Sequence, residues 1–395
     1  MDEVRGMFKK TKTIIMGDSK DRELRKAHSS GNLNQVNQQQ RPRKSGATPA
    51  GSGAGTSGIP ALQDASDRSI GAGLTTIYQQ PKMEGDDLRA WADRMQQIRA
   101  SGVKKEFVTV FGNRNSLPCD HFKNPANKPK NRYNDIVCLD NSRVKLRDSP
   151  TGDYIHANYT DSYHRKKRYI CTQGPMKSTL EEFWRMMWQE EAVLIVMLTH
   201  YVELNKAKCY QYIPDDALSE ADVERKQMQC GEFTVAVAAK HSVAISEADS
   251  VTVRDVQLSY RGAQRLIKHM HYEDWPDRGV PTKSFPAVSF LAHMHKTHLS
   301  GAFRNRLDPS KVPIVIHCSA GIGRTGTLVA LDICLEQLRR TNRLNVTEVV
   351  RRLRTQRAQA VQTPDQYLFV HQALLDFTIR NGQLPSFSMD YFLNN

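Results

Sequence analysis

Residues 315–326, Val-Ile-His-Cys-Ser-Ala-Gly-Ile-Gly-Arg-Thr-Gly, constrain the fold of this chain more than any other stretch. The stretch opens on apolar β-branched residues, which predict a buried strand. The residues just before Arg324 are small or glycine apart from Ile322, so they permit a tight loop with its amides turned inward. A helix is predicted from Arg324, because leucines follow at helical spacing: Leu328, Leu331, Leu335 and Leu338. Strand, loop and helix N-terminus together predict an anion cradle of phosphate size.

Two side chains give this cradle a predicted chemistry. The field at a helix N-terminus favours a thiolate at Cys318, which lowers its pKa from the free value of about 8.5. Arg324 follows after five intervening residues and can return across the loop to hold two phosphate oxygens with its planar fork. The alternative is a buried structural cysteine at a strand end, against which the glycines, the arginine and the following helix argue.

His317-Cys318, five residues and then Arg324-Thr325-Gly326 resemble the signature of the protein tyrosine phosphatases. The resemblance extends over about residues 86–385. It implies that Cys318 attacks phosphorus, that Thr325 donates its hydroxyl to the thiolate, and that His317 forms a hydrogen bond behind the loop. It also implies that Arg324 and the loop hold the phosphate oxygens, the loop residues being Ser319, Ala320, Gly321, Ile322 and Gly323.

Cleavage of a phosphate ester by a thiolate needs a general acid for the leaving oxygen, and Asp277 is the candidate. It stands between Trp275-Pro276, which make the start of the loop rigid and apolar, and Gly279, which makes its end flexible. This combination suits a loop that closes over a site. Alone, this pattern is typical of an ordinary surface turn. Beside the cradle sequence it resembles the mobile acid loop of the family, in which Asp277 acts as acid and then as base. Arg278 departs from the histidine or phenylalanine often found there, which affects the expected loop kinetics and not the chemistry.

Residues 130–135, Lys-Asn-Arg-Tyr-Asn-Asp, resemble the phosphotyrosine recognition loop of the family. Tyr133 would form an aromatic wall against the substrate ring, worth about 0.5–1.5 kcal/mol beyond its burial. Asp135 would accept hydrogen bonds from the substrate backbone. The resemblance implies a deep pocket in which phosphoserine and phosphothreonine fall short of the thiolate. The alternative is a loop tyrosine packed on its own domain.

Residues 362–367, Gln-Thr-Pro-Asp-Gln-Tyr, are similar to the glutamine loop of the family. The resemblance assigns Gln362 to orienting the water of the second step and Gln366 to assisting it. Gln359 stands where some members carry glycine. A side chain there is expected to narrow any second phosphotyrosine pocket, so that singly phosphorylated sites are accepted as readily as doubly phosphorylated ones.

Residues 203–209 align with the glutamate loop of the family. By this resemblance Glu203 pairs with Arg324 and holds it ready, while Lys208 approaches Asp277 when the acid loop closes. For each charged residue alone, a solvated surface position is the alternative.

The net charge of +14 favours an anionic partner: a phosphoprotein, an acidic lipid surface or nucleic acid. The sequence has no aromatic-basic repeat and no recognition-helix pattern, so a nucleic-acid partner is not predicted. Seven cysteines are scattered without short paired or zinc spacing, which is typical of a reducing compartment, and neither a metal nor another cofactor is predicted. No apolar run approaches the length of a membrane span and no secretory signal is evident, so a cytoplasmic location is expected, with a nuclear one as the alternative.

Composition divides the chain into three predicted parts. Residues 1–85 contain Asn/Gln-rich and Ser/Gly-rich stretches and are predicted to be a disordered basic and polar tail. Its basic clusters at 9–12 and 41–44 suit a nuclear address, a patch that touches an acidic partner or membrane surface, or a plain solvated tail. Residues 86–385 have globular hydrophobic density and are predicted to be the catalytic domain. Residues 386–395 are predicted to be a short C-terminal tail.

Hydrophobic periodicity predicts where the helices and strands begin. Asp86 or Asp87 suits an N-cap, and the helix that follows is expected to stop at Gly102. Apolar runs at 169–172 and 192–198 predict buried strands.

Two capping boxes are predicted between and after these strands. Thr179 with Glu182 is expected to open one helix, and Thr363 with Gln366 another, with Pro364 at its first position. Residues 207–260 alternate and predict antiparallel strands, while the last third of the chain is mostly helical. The patterns together predict an α/β fold, a mixed twisted sheet flanked by helices on both faces, as in the cysteine-based phosphatases.

The function that fits these features best is a non-receptor phosphotyrosine phosphatase without a metal. One alternative is a phosphotyrosine-binding pseudoenzyme, although such proteins usually lose the cysteine, the arginine or the loop aspartate, and Cys318, Arg324 and Asp277 are all present. Another is a phosphatase for phosphoinositides or for phosphoserine and phosphothreonine. The Tyr133 loop argues against it, because those substrates need a wide or shallow pocket.

Overall fold

The computed structural model describes residues 83–112, 117–214, 226–277 and 279–394. The chain divides into one unit, Met1–Lys82, that lies outside the described residues and a second unit, Met83–Asn395. The predicted N-terminal tail, its basic clusters and Arg278 therefore fall almost entirely outside the described part. Within that part, no helix is both long enough and apolar enough to cross a membrane.

The strands in chain order are β1 (Asp86–Asp87), β2 (Arg143–Lys145), β3 (Tyr154–Thr160), β4 (Tyr169–Thr172), β5 (Leu194–Met197), β6 (Val202–Glu203), β7 (Lys206–Ala207), β8 (Met228–Cys230), β9 (Phe233–Ala244), β10 (Ser250–Tyr260), β11 (Ala263–His271), β12 (Ile314–His317) and β13 (Arg343–Leu344). The α-helices are α1 (Leu88–Phe111), α2 (Asp120–Lys123), α3 (Leu180–Gln189), α4 (Phe285–Arg304), α5 (Arg324–Thr341), α6 (Val346–Gln356), α7 (Pro364–Arg380) and α8 (Met389–Leu393). Short 3₁₀ helices cover Pro125–Lys130 and Lys177–Thr179.

Nine strands form one sheet in the order β2-β3-β4-β12-β5-β11-β10-β9-β8. The four central strands β4, β12, β5 and β11 run parallel to one another. The strands on both flanks are antiparallel, which confirms the antiparallel pattern predicted over residues 207–260. The predicted mixed sheet is thus confirmed. The parallel centre matters most for the site, because the loops that leave parallel strands meet at one edge.

Each central strand is buried on both faces by two separate apolar cores. On β12, Ile314 and Ile316 pack in the core formed with α1, α4, α5, α6 and α7, whereas Val315 packs in the core formed with α3. On β5, Val196 and Ile195 divide between the two cores in the same way, because successive side chains of a strand point to opposite faces. Helices therefore flank the sheet on both faces, as predicted.

The first helix begins as predicted and does not end as predicted. Asp87 is the N-cap, and its Oδ1 accepts hydrogen bonds of 2.9 Å from the amides of Arg89 and Ala90. The prediction that Gly102 ends the helix is wrong, since α1 continues to Phe111 across a break at Arg99, where φ is +57°. Gly102 has a different use: a Cβ there would lie 2.7 Å from the Cβ of Ile98, so only glycine lets the chain fold back closely after the break.

One predicted capping box is present in half and the other is absent. Thr363 caps α7 through a 3.2 Å hydrogen bond from the Gln366 amide, with Pro364 first in the helix, but the Gln366 side chain binds elsewhere. The box at Thr179 is wrong, because Thr179 Oγ1 accepts from the amide of Met176 in the preceding 3₁₀ turn.

The far end of the chain is attached to the core. Residues 386–395, expected to be a short tail, contain α8, and Phe392 of that helix is fully buried. Tyr391 of α8 accepts a 2.7 Å hydrogen bond from Arg99 at the break in α1. The C-terminal helix thus packs where the first helix changes direction.

Candidate active site

The loops at the carboxyl ends of the four parallel strands meet at one edge of the sheet. β12 leads into residues 318–323 and β4 into residues 173–175, while β5 and β11 lead toward Glu203 and Asp277. This edge is where open α/β sheets place ligands. The sheet topology therefore brings together groups that lie more than 100 residues apart in the sequence, as the contact between Arg324 and Glu203 shows.

The loop after β12 wraps tightly around the sulfur of Cys318. The Gly321 amide donates to Cys318 Sγ at 3.2 Å. Gly321 has φ of +69°, and a Cβ there would lie 2.0 Å from the carbonyl oxygen of Thr172, so both conformation and space require glycine. A Cβ on Gly323 would lie about 3 Å from the side chains of Gln366 and Gln362, so the two glutamines border the cradle.

The pKa of Cys318 lies below its ordinary value although the side chain is buried. Burial alone raises this pKa, but the positive charge of Arg324, the nearby hydroxyl and amide of Thr325 and the hydrogen bond from the Gly321 amide outweigh it. The buried hydroxyl oxygen of Thr325 itself has no hydrogen-bond partner among the described residues. We therefore attribute the shift mainly to Arg324 and the loop amides.

Most of the other cysteines have the opposite tendency. Burial raises the pKa of Cys138, Cys171 and Cys230 to about 11 and raises the pKa values of Cys209 and Cys334 still further. All seven cysteines lie in described residues and none forms a disulfide.

We accordingly expect iodoacetate to alkylate Cys318 selectively at about pH 6, where an ordinary thiol is almost fully protonated. Peptide mapping after brief labelling measures this selectivity, and Cys318→Ser is the control that removes the labelled peptide. Labelling spread over several cysteines would contradict the lowered pKa of Cys318.

Glu203 and Thr199 hold Arg324 in place. Its Nη1 and Nη2 donate to the two carboxylate oxygens of Glu203 at 2.6 and 2.9 Å, and Nη2 also donates to Thr199 Oγ1 at 3.2 Å. Burial alone lowers the pKa of Arg324, but the ion pair with Glu203 outweighs it and raises that pKa. The pair is 3 % and 9 % exposed, so neither charge is screened by solvent.

The loop after β11 lies directly over Arg324. The carbonyl oxygen of Trp275 accepts from Arg324 Nη1 at 3.1 Å, and Asp277 Oδ1 accepts from Nη2 at 3.3 Å. Lys208 Nζ donates to Asp277 Oδ2 at 2.5 Å. Trp275 is buried against Phe369 with ring centroids 5.6 Å apart, and this contact anchors the loop. The carboxyl group of Asp277 is thereby held beside the cradle.

Tyr133 contacts the cradle at Ser319. Its hydroxyl lies 2.8 Å from Ser319 Oγ, which in turn donates to the carbonyl oxygen of Lys208 at 2.9 Å. Tyr133 is half-buried and Asp135 is exposed, and the carbonyl oxygen of Asp135 accepts from Gln359 Nε2 at 3.0 Å. The predicted recognition loop therefore borders the cradle and is connected to the segment before the glutamine loop.

The two glutamines of the glutamine loop differ in exposure. Gln362 is exposed, whereas Gln366 is fully buried and its Oε1 accepts from the Gln362 amide at 2.9 Å. Gln366 Nε2 is buried without a partner among the described residues and borders Gly323. Gln366 thus positions the backbone of Gln362 at the rim.

His317 lies behind the cradle in a chain of buried hydrogen bonds. Its Nδ1 is 3.1 Å from the carbonyl oxygen of Cys318 and must donate, so its Nε2 accepts from the Tyr212 hydroxyl at 2.8 Å. His269 Nε2 then donates to the same hydroxyl at 2.8 Å. Burial lowers the pKa of His317 to about 3, so this imidazole is neutral. Tyr212 and His269 belong to no motif of the sequence, because neither stands near the cradle along the chain.

Arg357 is a second group that the motifs missed. It is fully buried and touches the cradle loop from behind. The apolar stripe of α6 indicates its burial: Val346, Val349, Val350 and Leu353 face the core, and one further turn leads to position 357. No cluster of histidine, cysteine, aspartate or glutamate in the described part of the chain has the arrangement of a metal site.

Residues 127–376 match the family model described as protein-tyrosine phosphatase. The chain is 39% identical over 304 residues to a rat protein named tyrosine-protein phosphatase non-receptor type 9, an alignment that covers 74% of this chain and 49% of that protein. It is 37% identical over 289 residues to rat receptor-type tyrosine-protein phosphatase zeta, covering 70% of this chain and 12% of that protein. The chain thus matches about half the length of the first relative and about an eighth of the second.

Proposed function

Because this chain belongs to the protein-tyrosine phosphatase family, we propose that it hydrolyses phosphotyrosine in proteins through a cysteinyl-phosphate intermediate. One observation carries the proposal: a single cradle holds Cys318, with its lowered pKa, beside the buried guanidinium of Arg324 and the carboxyl group of Asp277. A nucleophile, an oxyanion clamp and a proton donor are the parts that phosphoryl transfer to a thiolate requires.

In the first step the Cys318 thiolate attacks phosphorus and the bond from phosphorus to the tyrosine oxygen breaks. Arg324 and the amides of residues 319–323 hold the remaining phosphate oxygens, where negative charge is distributed in the transition state. Asp277 in its protonated form gives its proton to the departing tyrosine oxygen, so that tyrosine leaves as a neutral phenol.

In the second step water attacks the phosphorus of the cysteinyl phosphate and the bond to sulfur breaks. Asp277, now a carboxylate, takes a proton from that water, and Gln362 with Gln366 orients it. Inorganic phosphate leaves, and Cys318 returns as a thiolate that the Thr325 hydroxyl stabilises. Glu203 and Lys208 act earlier, by positioning Arg324 and Asp277.

The preference for tyrosine comes from the depth set by Tyr133. Its ring stands beside the cradle and would lie along the ring of the substrate phosphotyrosine. The side chains of phosphoserine and phosphothreonine are too short to carry their phosphate groups down this pocket to Cys318. Asp135, exposed next to it, would accept hydrogen bonds from the substrate backbone. The expected partners are therefore tyrosine-phosphorylated proteins. Unpaired cysteines support a reducing, cytoplasmic location.

Acid quenching of the enzyme during turnover tests the proposed intermediate. A phosphotyrosine peptide should leave one phosphoryl group on Cys318, identified by mass spectrometry, and Gln362→Ala should increase its amount by slowing the second step. Phosphate on no residue, together with tight peptide binding, would instead support a phosphotyrosine reader.

Gln359→Gly tests the proposed preference for singly phosphorylated sites. The Gln359 side chain is bonded to the recognition loop at Asp135, and its φ of +60° is a conformation that glycine adopts without strain. The wild type should have similar kcat/KM values for a singly and a tandem phosphorylated peptide. Gln359→Gly should raise kcat/KM for the tandem peptide by about tenfold, because the second phosphotyrosine would then gain one good charged contact. Gln359→Asn is the control, and strong tandem preference in the wild type that the glycine variant leaves unchanged would contradict the prediction.

A further inference from the structure

A buried cation lies behind the cradle, and neither the proposed first step nor the second uses it. Arg357 is 0 % exposed. Its Nη2 donates to the carbonyl oxygen of Ala320 at 2.8 Å and its Nε to that of Gly321 at 3.0 Å. Its Nη1 donates to Asn158 Oδ1 at 2.8 Å and lies 3.2 Å from His156 Nδ1. Each of the three guanidinium nitrogens thus has at least one fixed acceptor.

These bonds determine which way the cradle amides point. In a trans peptide the carbonyl of one residue and the N–H of the next point in opposite directions. Since Arg357 holds the Ala320 carbonyl outward, the Gly321 N–H must point inward, and it does donate to Cys318 Sγ at 3.2 Å. By the same geometry, holding the Gly321 carbonyl turns the Ile322 N–H inward. Arg357 therefore orients two of the donors that an anion would meet.

The charge of Arg357 is not cancelled by a neighbour. No described carboxylate forms an ion pair with it, and apart from the Cys318 thiolate the titratable groups around it are neutral near neutral pH. Burial and the adjacent guanidinium lower the pKa of His156 to about 3, and burial raises the pKa of Cys138 and Cys171 to about 11 and that of Tyr154 further.

Arg324, the arginine inside the cradle, lowers the pKa of Cys318, but its own charge is paired with a carboxylate. Glu203 holds both terminal nitrogens of Arg324 in a buried ion pair, and Lys208 is paired with Asp277. Another nearby arginine, Arg132, binds the carbonyl oxygens of Gly174 and Pro175 but is only partly buried, so solvent screens it. Among the described residues near the cradle, the fully buried positive charge without a carboxylate partner belongs to Arg357, and burying such a charge is costly unless an anion accompanies it.

We propose that Arg357 is a positioning residue that prepares the cradle for its anion: its fork turns two loop amides inward, and its uncompensated charge favours both the thiolate and the bound phosphate. The inference concerns the same site as the proposed function. The test of the role of Arg357 measures binding and alkylation and requires no turnover. A wild type that binds orthovanadate but hydrolyses no phosphotyrosine would therefore contradict the proposed function without contradicting the role of Arg357.

The test compares Arg357→Met and Arg357→Lys with a matched control, Arg165→Met. Arg165 likewise donates to two backbone carbonyls, of Pro309 and Val312 at 3.0 Å each, but lies outside the cradle. For each protein three quantities are measured: the dissociation constant of orthovanadate, the pH midpoint of alkylation of Cys318 by iodoacetate, and the unfolding temperature.

Arg357→Met should raise the dissociation constant of orthovanadate about tenfold or more, because a charged hydrogen-bonding group is lost. It should also move the pH midpoint of Cys318 alkylation upward. Arg357→Lys keeps the charge without the fork, so its midpoint should stay near that of the wild type while orthovanadate still binds more weakly. Arg165→Met should change the unfolding temperature alone.

Two results would overturn the proposal. One is an Arg357→Met protein that, like Arg165→Met, has a lower unfolding temperature but matches the wild type in orthovanadate affinity and in the pH midpoint of Cys318 alkylation. Arg357 would then have only a structural role. If Arg357→Met does not fold, Arg357→Lys decides, and a folded lysine variant with unchanged orthovanadate affinity contradicts the role of the fork.

Discussion

Replacing Cys318 by serine is expected to reduce hydrolysis of a phosphotyrosine peptide by about 10⁵-fold or more, the scale on which enzymes lose activity with their nucleophile. The physical reason is the protonation state of the attacking atom. The Arg324 charge and loop amides lower the pKa of the thiol, but a serine hydroxyl starts so much higher that the same environment leaves it protonated.

Initial rates of phosphate release measure the effect, and Cys230→Ser is the matched control. Cys230 is also buried but lies on β8, at the outer edge of the sheet, and its pKa is raised. The control should retain the wild-type rate. Because the amides and Arg324 remain in Cys318→Ser, that variant should still bind the phosphopeptide in a calorimetric titration. Equal rates of phosphate release for Cys318→Ser and Cys230→Ser would contradict the role of Cys318 as the nucleophile.

Asp277→Asn is expected to lower kcat by about 10²–10⁴-fold, the range that general acid–base catalysis contributes. Asparagine keeps the shape, and its one side-chain oxygen can still accept a hydrogen bond from either Lys208 or Arg324, so the loop should keep its place. What the variant lacks is a proton to give to the leaving oxygen.

The dependence on the leaving group separates this role from a general disturbance of the loop. For an aryl phosphate whose phenol is strongly acidic, the leaving oxygen needs no proton. The difference in kcat between Asp277→Asn and the wild type should therefore be smaller for this substrate. Asp274→Asn, an exposed change in the same loop, serves as the control and should react like the wild type. A deficit in Asp277→Asn that is the same for all leaving groups would contradict a proton transfer.

The sequence predicts best where local pattern and topology agree. The strand ending at His317, the glycine-containing loop and the helix from Arg324 all appear within a residue of their expected positions. The small residues leave the loop few conformations, and the leucines after Arg324 leave the helix one buried face. The mixed sheet followed from the alternation of buried strands and helices.

Predictions of helix ends failed where tertiary contacts override local signals. Gly102 was expected to stop α1, but the chain turns at Arg99 instead, and Arg94 then forms an ion pair with Glu106 across the break. The expected cap residue Glu182 is used by Thr151, whose hydroxyl donates to it at 2.7 Å. Neither contact can be read from a local window.

The candidate site shows the same limit. Its residues that belong to recognisable loops were predicted from those loops, whereas Arg357 and Tyr212 reach it from elements that carry no motif. Arg357 follows arginines at 351, 352 and 354, and only its position one turn beyond the buried stripe of α6 distinguishes it. Burial of a charge is decided by the whole fold, so sequence patterns alone seldom identify it.

Phosphotyrosine hydrolysis without a metal is tested by comparing the rates at which the wild type dephosphorylates two peptides, one with phosphotyrosine and one with phosphothreonine at the same position, in the presence of EDTA. We expect rapid release of phosphate from the phosphotyrosine peptide, no dependence on the chelator, and a rate for phosphothreonine lower by orders of magnitude. Equal rates on both peptides, or activity that EDTA abolishes, would contradict this expectation.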